Sequence, residues 1–247
     1  MKHALTFALM VAFAATSLAT ADELVILGVG HLGPFDTTLE LANPTAAPMT
    51  VLYDNAPPEN TGCPGSGPPC VRNVTIPAHG SATIDSSNYP FGALDLLYVA
   101  VRGPGLPSIR GTITNLTLPP QVVTLPVASR DTLVGANPTL ISLAGATRSA
   151  TEHSNLVLAN IYPTDASSVD PLTVTITAYD ATGNALGAMN ATVTEHPLFL
   201  VDICAQLGVS SVDKGHLEIA KVTGSGVLTG LMITTTPGGG IAVSTSR

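Results

Sequence analysis

An internal repeat is the feature of this sequence that most restricts its fold. The segments that end at Asn43 and Asn160 share an apolar alternation that closes in Leu-Ala-Asn, and the two asparagines are 117 residues apart. Further along, Asp85 and Asp202 end two matching strand-like segments at the same separation of 117 residues. Self-similarity at a fixed period is typical of a duplicated structural unit. We therefore expect two copies of one domain.

Alternating apolar and polar residues indicate that both copies are built from β-strands. A period of two residues is typical of a half-buried strand, and turn-forming Gly, Pro, Asn and Asp separate the alternating segments. The clearest strand segments are Leu39–Leu41, Thr50–Tyr53, Val71–Ile76, Leu97–Val101, Thr173–Thr177 and His216–Val222. Many short strands between turns favour an all-β sandwich fold over alternating strands and helices. One helical turn is predicted between Leu200 and Leu207.

The length of the chain fits two sandwich domains. Such modules contain about 100 residues each, and this chain has 247. Four prolines in the stretch from Leu118 to Pro138 indicate the junction between the copies, although Gln121–Leu125 inside this stretch has the character of an edge strand. We predict a first β-sandwich domain over residues 22–118, a linker over 119–137 and a second β-sandwich domain over 138–247.

The first residues have the pattern of an export signal. Lys2 and His3 are followed by an apolar run from Ala4 to Ala15, and Ala19–Ala21 forms an A-x-A cleavage site. We predict that residues 1–21 are a cleaved signal peptide, and that the mature chain is periplasmic or extracellular. Because no later segment reaches the roughly 20 apolar residues of a membrane helix, we expect no membrane span in the mature chain.

Three cysteines remain in the predicted mature chain. Cys63 and Cys70 flank a Pro/Gly-rich loop, and an exported compartment permits a disulfide, so we expect these two residues to form one. Free thiols and a zinc site are the alternatives, but the spacing is longer than in common zinc motifs and no histidine is adjacent. Cys204 lies in an apolar stretch and is interpreted as a buried thiol rather than a nucleophile.

The repeated polar residues have structural interpretations. Asn43 and Asn160 each close a strand and can hold a turn by bonding nearby backbone groups, and Asp85 and Asp202 can cap the turn that follows them. Paired calcium sites are the alternative, but calcium requires six to eight oxygen ligands, which this spacing does not supply. We therefore predict no metal site and no cofactor.

Catalytic motifs are absent from the sequence. There is no Gly-x-Ser-x-Gly nucleophile motif and no phosphate-binding loop. His216 and Glu218 lie on the same face of a predicted strand, and we interpret this pair as part of a solvated strand face rather than as an acid–base dyad. We expect no enzymatic activity and no catalytic residue. The formal net charge of −8 also disfavours nucleic acid as a partner.

The order of these motifs resembles that of a known class of modules. An alternation ending in Asn43-Pro44, an Ile-Pro-Ala-x-Gly turn at Ile76–Gly80, Asp85 and then Phe91-Gly92 is similar to tandem immunoglobulin-like β-sandwich modules of uncharacterised bacterial exported proteins. The second copy lacks the proline after Asn160 and the Ile-Pro-Ala-x-Gly turn. The resemblance implies two tandem immunoglobulin-like sandwiches in the envelope or outside the cell, without shared catalytic residues.

The combined pattern predicts a structural or interaction protein that acts in adhesion or assembly. Its expected contact regions for a protein or surface partner are the Cys63–Cys70 loop and the C-terminal strands from Val227 to Ser246. The run Gly226–Thr235 has two interpretations, an exposed edge strand through which the chain self-associates, or an internal strand of the second sandwich. A module that binds a glycan or a divalent cation is an alternative function, and a hydrolase with a site invisible in the sequence is a third.

Overall fold

The protein is described here by a computed structural model. The described residues are 23–32, 35–54, 72–85, 95–102, 105–115, 121–162, 169–236 and 240–246. Strands dominate them and the two helices are short, which confirms the predicted all-β class. No helix in these ranges is both long and apolar enough to cross a bilayer. The predicted signal peptide, residues 1–21, lies outside the described residues.

The first half of the chain forms two antiparallel sheets. Its elements are β1 (Leu24–Val29), β2 (His31–Leu32), β3 (Phe35–Ala42), β4 (Met49–Asp54), β5 (Arg72–Ile76), β6 (Ser81–Asp85), β7 (Asp95–Arg102), β8 (Ser108–Asn115), β9 (Gln121–Leu125), β10 (Val127–Ser129) and α1 (Arg130–Ala136). One sheet has the strand order β10-β1-β7-β4-β5. In the other, β3 pairs with β2, β6 and β8, and β9 follows β8 at the edge.

The second half forms one sheet that folds back on itself. Its elements are β11 (Leu140–Arg148), β12 (His153–Ile161), β13 (Leu172–Tyr179), β14 (Ala185–Val193), β15 (Leu198–Leu200), α2 (Ile203–Gln206), β16 (Val212–Thr223), β17 (Val227–Thr235) and β18 (Ile241–Thr245). The strand order is β14-β13-β16-β11-β12-β17-β18, and β15 pairs with β12. Because β11 and β12 pair only at Arg148 and His153, this junction is a corner between two arms. An apolar core fills the space between the arms.

The two halves have matching strand orders. In the first half β5-β4-β7-β1 forms one layer and β6-β3-β8-β9 the other. In the second half the arms are β14-β13-β16-β11 and β15-β12-β17-β18, so each strand has a counterpart in the same chain order and position. The repeated asparagines occupy equivalent places, since Asn43 directly follows β3 and Asn160 lies at the end of β12. The repeat in the sequence therefore coincides with a repeat in topology.

The shared topology has the central pairings of an immunoglobulin sandwich but not its complete strand order. An immunoglobulin constant domain pairs its second strand with the fifth and its third with the sixth. Counting the eight strands common to both halves, the same pairings occur here. The first strand, however, pairs with the sixth, as β1 does with β7, and the seventh pairs with the second, as β17 does with β12. The first and the seventh strand therefore each lie in the opposite sheet from their counterparts in an immunoglobulin domain.

The arm β15-β12-β17-β18, here called the middle sheet, is buried on both faces. Leu156 and Met232 point into the core of the second half, whereas Val157 and Leu231 belong to the core of the first half. Long uninterrupted apolar strands are typical of sheets that are covered on both sides. The first core therefore contains residues from both halves, and the halves are packed together rather than only tethered.

The segment predicted as a linker, residues 119–137, forms regular structure in its described part. It contains β9, which pairs with β8, then β10, which pairs with β1, and finally α1. The side chain of Ser129 caps α1 by accepting a hydrogen bond from the backbone nitrogen of Thr132 at 3.4 Å. Asn137 ends the helix in the left-handed region with φ 31°. This segment is part of the sandwich and of its contact with the second half.

Candidate functional site

Asn43 holds together the turn that follows β3. Its side chain is buried, and its amide nitrogen donates to the carbonyl oxygens of Ala47 at 2.8 Å and Pro77 at 3.0 Å. Its amide oxygen accepts from the backbone nitrogen of Thr45 at 2.9 Å and from the Thr45 hydroxyl at 2.7 Å. All these partners belong to the protein backbone or to an adjacent turn. The arrangement stabilises the turn and is not the geometry of a ligand-binding site.

Asn160 occupies the equivalent place with fewer partners. Its amide nitrogen donates to the Asp170 carbonyl oxygen at 2.9 Å, but its buried amide oxygen has no hydrogen-bond partner. The donor equivalent to the Thr45 nitrogen would be the backbone nitrogen of Tyr162, which instead donates to the Tyr98 hydroxyl of the first half at 3.1 Å. In the second half, the Tyr162 nitrogen therefore bonds across the contact between the halves, whereas the equivalent Thr45 nitrogen in the first half bonds within the turn.

Asp202 precedes the short helix α2, in the region where the sequence predicts a helical turn. It is the N-cap residue, with Oδ1 accepting from the Ala205 backbone nitrogen at 3.2 Å. Its carboxylate also pairs with Arg148 Nε at 3.1 Å, and the Arg148 guanidinium reaches the Val209 carbonyl oxygen at 2.7 Å. Asp85 is the last residue of β6, and the turn after it lies outside the described residues.

His216 and Glu218 lie on the solvent-facing side of β16. His216 Nε2 and Glu218 Oε1 are 3.9 Å apart, and the two side chains are 31% and 36% exposed. The His216 ring stacks on Tyr179 with the ring centroids 4.8 Å apart and the planes 8° from parallel. The negative charge of Glu218, together with a hydrogen bond that the Tyr179 hydroxyl donates to it, raises the pKa of Tyr179 above its ordinary value.

This cluster lacks the geometry of an acid–base site. A separation of 3.9 Å is too long for a direct hydrogen bond between imidazole and carboxylate. The hydroxyl beside them belongs to Tyr179, and its raised pKa keeps it protonated and a poor nucleophile at neutral pH. Among the described residues, no group of three or more His, Cys, Asp or Glu side chains could hold a metal ion.

The remaining thiol is equally unsuited to chemistry. Cys204 is a free cysteine and is fully buried in the second core. Burial, followed by the nearby charge of Asp202, raises the pKa of this thiol to about 11. A protonated and inaccessible thiol is not a nucleophile at neutral pH. Cys63 and Cys70, the residues of the predicted disulfide, lie outside the described residues.

Among the described strands of the second half, β14 lies at one edge of its arm. It pairs with β13 on one side and is the last strand of its arm on the other. Its nine residues include no proline and no charged residue, and its outer-face side chains Leu186, Ala188, Asn190 and Thr192 are exposed. A long, uncharged edge strand presents unpaired backbone N–H and C=O groups that can template pairing with another strand.

The other sheet edges in the described ranges are shorter or protected. β10 and β15 have three residues each and lead into α1 and α2. β5 begins with Arg72 and β6 ends with Asp85, which places a charge on each of these edges. β9 and β18 lie against each other. These are usual devices against unwanted strand pairing; β14 has no charge and no proline, and its one irregularity is the register shift between Gly187 and Ala185.

Polar contacts between the halves converge on Arg130 at the start of α1. Its buried guanidinium forms an ion pair with Glu23 and donates through Nε to the Tyr162 carbonyl oxygen at 2.9 Å. It also lies 5.7 Å from the centre of the Tyr98 ring. Burial raises the pKa of Tyr98, so its hydroxyl stays neutral and accepts the hydrogen bond from the Tyr162 nitrogen. Sequence patterns gave no signal for this cluster.

Of the predicted contact region from Val227 to Ser246, the part in β17 is buried, whereas β18 lies at a sheet edge and is partly exposed. β17, which contains most of the run Gly226–Thr235, lies between β12 and β18, and eight of its nine residues are buried. This run is therefore an internal strand rather than an exposed edge. The other region, the loop from Cys63 to Cys70, lies outside the described residues. Neither known protein families nor curated proteins give a match to this chain.

Proposed function

We propose that this chain is a non-enzymatic, exported interaction protein that acts in adhesion or assembly by adding a strand from a partner to β14. It consists of two tandem immunoglobulin-like sandwiches that follow a cleaved signal peptide, with a disulfide between Cys63 and Cys70. The observation that carries this function is the open, uncharged edge of β14. Pairing between backbone groups gives affinity without requiring a pocket or reactive side chains.

Several observations support this proposal. The Ala19–Ala21 cleavage pattern supports export, and the spacing of 117 residues together with the matching strand orders supports a duplication. The His216–Glu218 pair has neither a contact distance nor a nucleophile suited to catalysis. The core shared by both halves supports a rigid binding surface. A rigid surface loses less conformational entropy when it binds a partner.

A photo-crosslinking experiment tests this function in the envelope of the producing cell. A photoreactive residue replaces Asn190 on β14 in one variant and Ser142 on β11 in the control. Both positions are exposed on the outer face of the same arm, but β11 is three strands away from the open edge. Any partner that pairs with β14 will be within reach of position 190 only.

We expect protein adducts from position 190 and none from position 142. Adducts to the chain itself and adducts to another protein both agree with an interaction function for β14. If irradiation yields no adduct from position 190, or equal adducts from both positions, the proposed function is wrong. Secretion of the mature chain starting near Asp22, checked by N-terminal sequencing, accompanies the experiment.

A further inference from the structure

The chemistry of β14 identifies a partner more closely. Resting on the proposed function, we infer that the strand added to β14 is β14 of a second copy of this chain, which forms an antiparallel dimer about a two-fold axis near Met189. The two outer arms would then join into one continuous sheet of eight strands. The symmetry of this edge, its lack of charge and the size of its side chains support the dimer.

The sequence of β14 is compatible with itself in antiparallel register. The register that overlaps all nine residues places Met189 opposite its own copy, because Ala185–Val193 is centred on it. Residues directly opposite each other lie on the same face of an antiparallel pair. Ala188 therefore faces Asn190 of the second copy, and Gly187 faces its Ala191. Each contact occurs twice, as a two-fold interface requires.

The absence of charged residues on β14 favours this partner. The protein has a formal net charge of −8 at pH 7, so most of its surface repels a second copy. β14 carries no charged side chain, so its own residues add nothing to that repulsion along the edge. Like charges opposite each other across a strand pair are destabilising, and here no such pair exists. Two copies can approach along this line without bringing like charges together.

The side chains of β14 also permit close approach. Ala188, Asn190 and Thr192 are short, and the Asn190 amide oxygen is already held by the Thr175 hydroxyl at 2.8 Å. Gly187 lies directly beneath the Leu207 carbonyl oxygen, so the strand is supported from its inner side by the end of α2. The pairing of β14 with β13 has one register shift, between Gly187 and Ala185, so the regular part of this edge is the run from Gly187 to Val193. No large rearrangement is required for pairing.

The test compares charge variants of the full mature chain by sedimentation velocity. In A188K/N190K, the inferred register places an introduced lysine opposite another lysine at both contacts. In A188K/N190D, each introduced lysine faces an introduced aspartate of the second copy. S142K/A144K is the matched control, because it adds the same charge to exposed positions of the same arm on β11. Each variant is first checked for an unchanged circular dichroism spectrum.

We expect the unmodified chain to dimerise within about 5–500 µM, the range of a modest interface. A188K/N190K should lower the association constant at least about tenfold. A188K/N190D and S142K/A144K should dimerise like the unmodified chain. A monomer at every concentration overturns the inference, as does a dimer that A188K/N190K leaves intact. If A188K/N190D is as monomeric as A188K/N190K, the antiparallel register is wrong.

Hydrogen exchange provides a second measurement that needs no variant. Pairing protects the backbone amides of β14, so exchange in Ala185–Val193 should slow as the protein concentration rises, while exchange in β11 stays constant. Concentration-independent exchange in β14 contradicts the dimer.

Failure of the dimer is distinguishable from failure of the proposed function. A monomeric chain that still crosslinks from position 190 to another protein retains the function and changes only the partner.

Discussion

Asn43 and Asn160 close equivalent strands, yet the two amide groups have different surroundings. Asn43 uses both its amide nitrogen and its amide oxygen in the turn, whereas the oxygen of Asn160 is buried without a partner. The difference arises because the Tyr162 nitrogen bonds to Tyr98 in the other half. Leaving a buried polar atom unpaired costs free energy. Contact between the halves has evidently compensated for this cost.

This difference predicts unequal effects of the same truncation. We expect Asn43→Ala to lower the free energy of unfolding by about 3 kcal/mol, because it removes several buried hydrogen bonds, and Asn160→Ala to lower it by about 1 kcal/mol. In Asn160→Ala, removal of the unpaired amide oxygen offsets part of the loss in the free energy of unfolding. Urea denaturation of both variants measures the two values. Equal losses would show that the two turns depend on their asparagines to the same degree.

At the scale of elements, the hairpin of β13 and β14 depends on the turn between them. The Asp180 carboxylate accepts from the Thr182 and Asn184 backbone nitrogens at 2.8 and 2.9 Å, and also from the Asn184 side chain at 2.9 Å. These hydrogen bonds, those from Asn184 foremost, hold the pKa of Asp180 well below its ordinary value of 3.8. The charged form of Asp180 therefore stabilises the turn that positions the open edge.

A pH dependence follows from this carboxylate. Because its pKa is lowered in the folded protein, its stabilising contribution is complete above about pH 4 and is lost as the pH falls below that value. We expect Asp180→Asn to remove this component of acid sensitivity, and Asp180→Ala to lower the melting temperature at pH 7 as well. Thermal melts between pH 2 and pH 7 compare the variants. Parallel melting curves for the wild type and Asp180→Asn would contradict this role.

The sequence predicted most of the strands but not the relation between the halves. The alternating segments Thr173–Thr177 and His216–Val222 fall within β13 and β16, because each exposes one face to water and buries the other. In β12, by contrast, eight of nine residues are buried, although its sequence matches the alternating segment that ends at Asn43. A continuous apolar run is typical of a strand covered on both faces, so Leu156–Ala159 in β12 is the available signal for the middle sheet.

The helix and the sites were harder to predict for physical reasons. α1 has seven residues and contains a glycine, so it has too few turns for a helical apolar period to be visible. Arg130 meets Glu23 and Tyr162 only after the halves have packed together, and no local pattern encodes a contact over such separations. The open edge of β14 depends on the strand order, which the alternation within one strand does not determine. The His216–Glu218 pair, by contrast, was visible because i and i+2 share a strand face.

At the scale of the whole molecule, the two halves of the chain share one core. The outward-facing residues Leu231 and Ile233 of β17 lie in the core of the first half, while Leu228 and Met232 of the same strand lie in the core of the second. Each fully buried aliphatic side chain contributes about 1.5–3 kcal/mol relative to exposure. The halves should therefore remain associated without a covalent connection between them.

Cleaving the chain between the halves tests this association. A protease site inserted between Asn137 and Pro138, at an exposed end of α1, allows cleavage of the folded protein. We expect the two fragments to elute together as one particle under native conditions and to separate in denaturant. The variant L231A/I233A removes apolar surface from the contact between the halves, at about 2–5 kcal/mol per side chain. After cleavage its fragments should separate without denaturant.

The control variant is L228A/M232A, which truncates the same strand on its other face. It should destabilise the second half by a similar amount but leave the cleaved fragments together, because its side chains do not face the first half. If the unmodified fragments separate after cleavage, the shared core is not a stable interface. Separation in both variants would show that general destabilisation, rather than the face of β17 that was changed, determines association. If only L231A/I233A separates the fragments, the two faces of β17 belong to different cores, as the middle sheet requires.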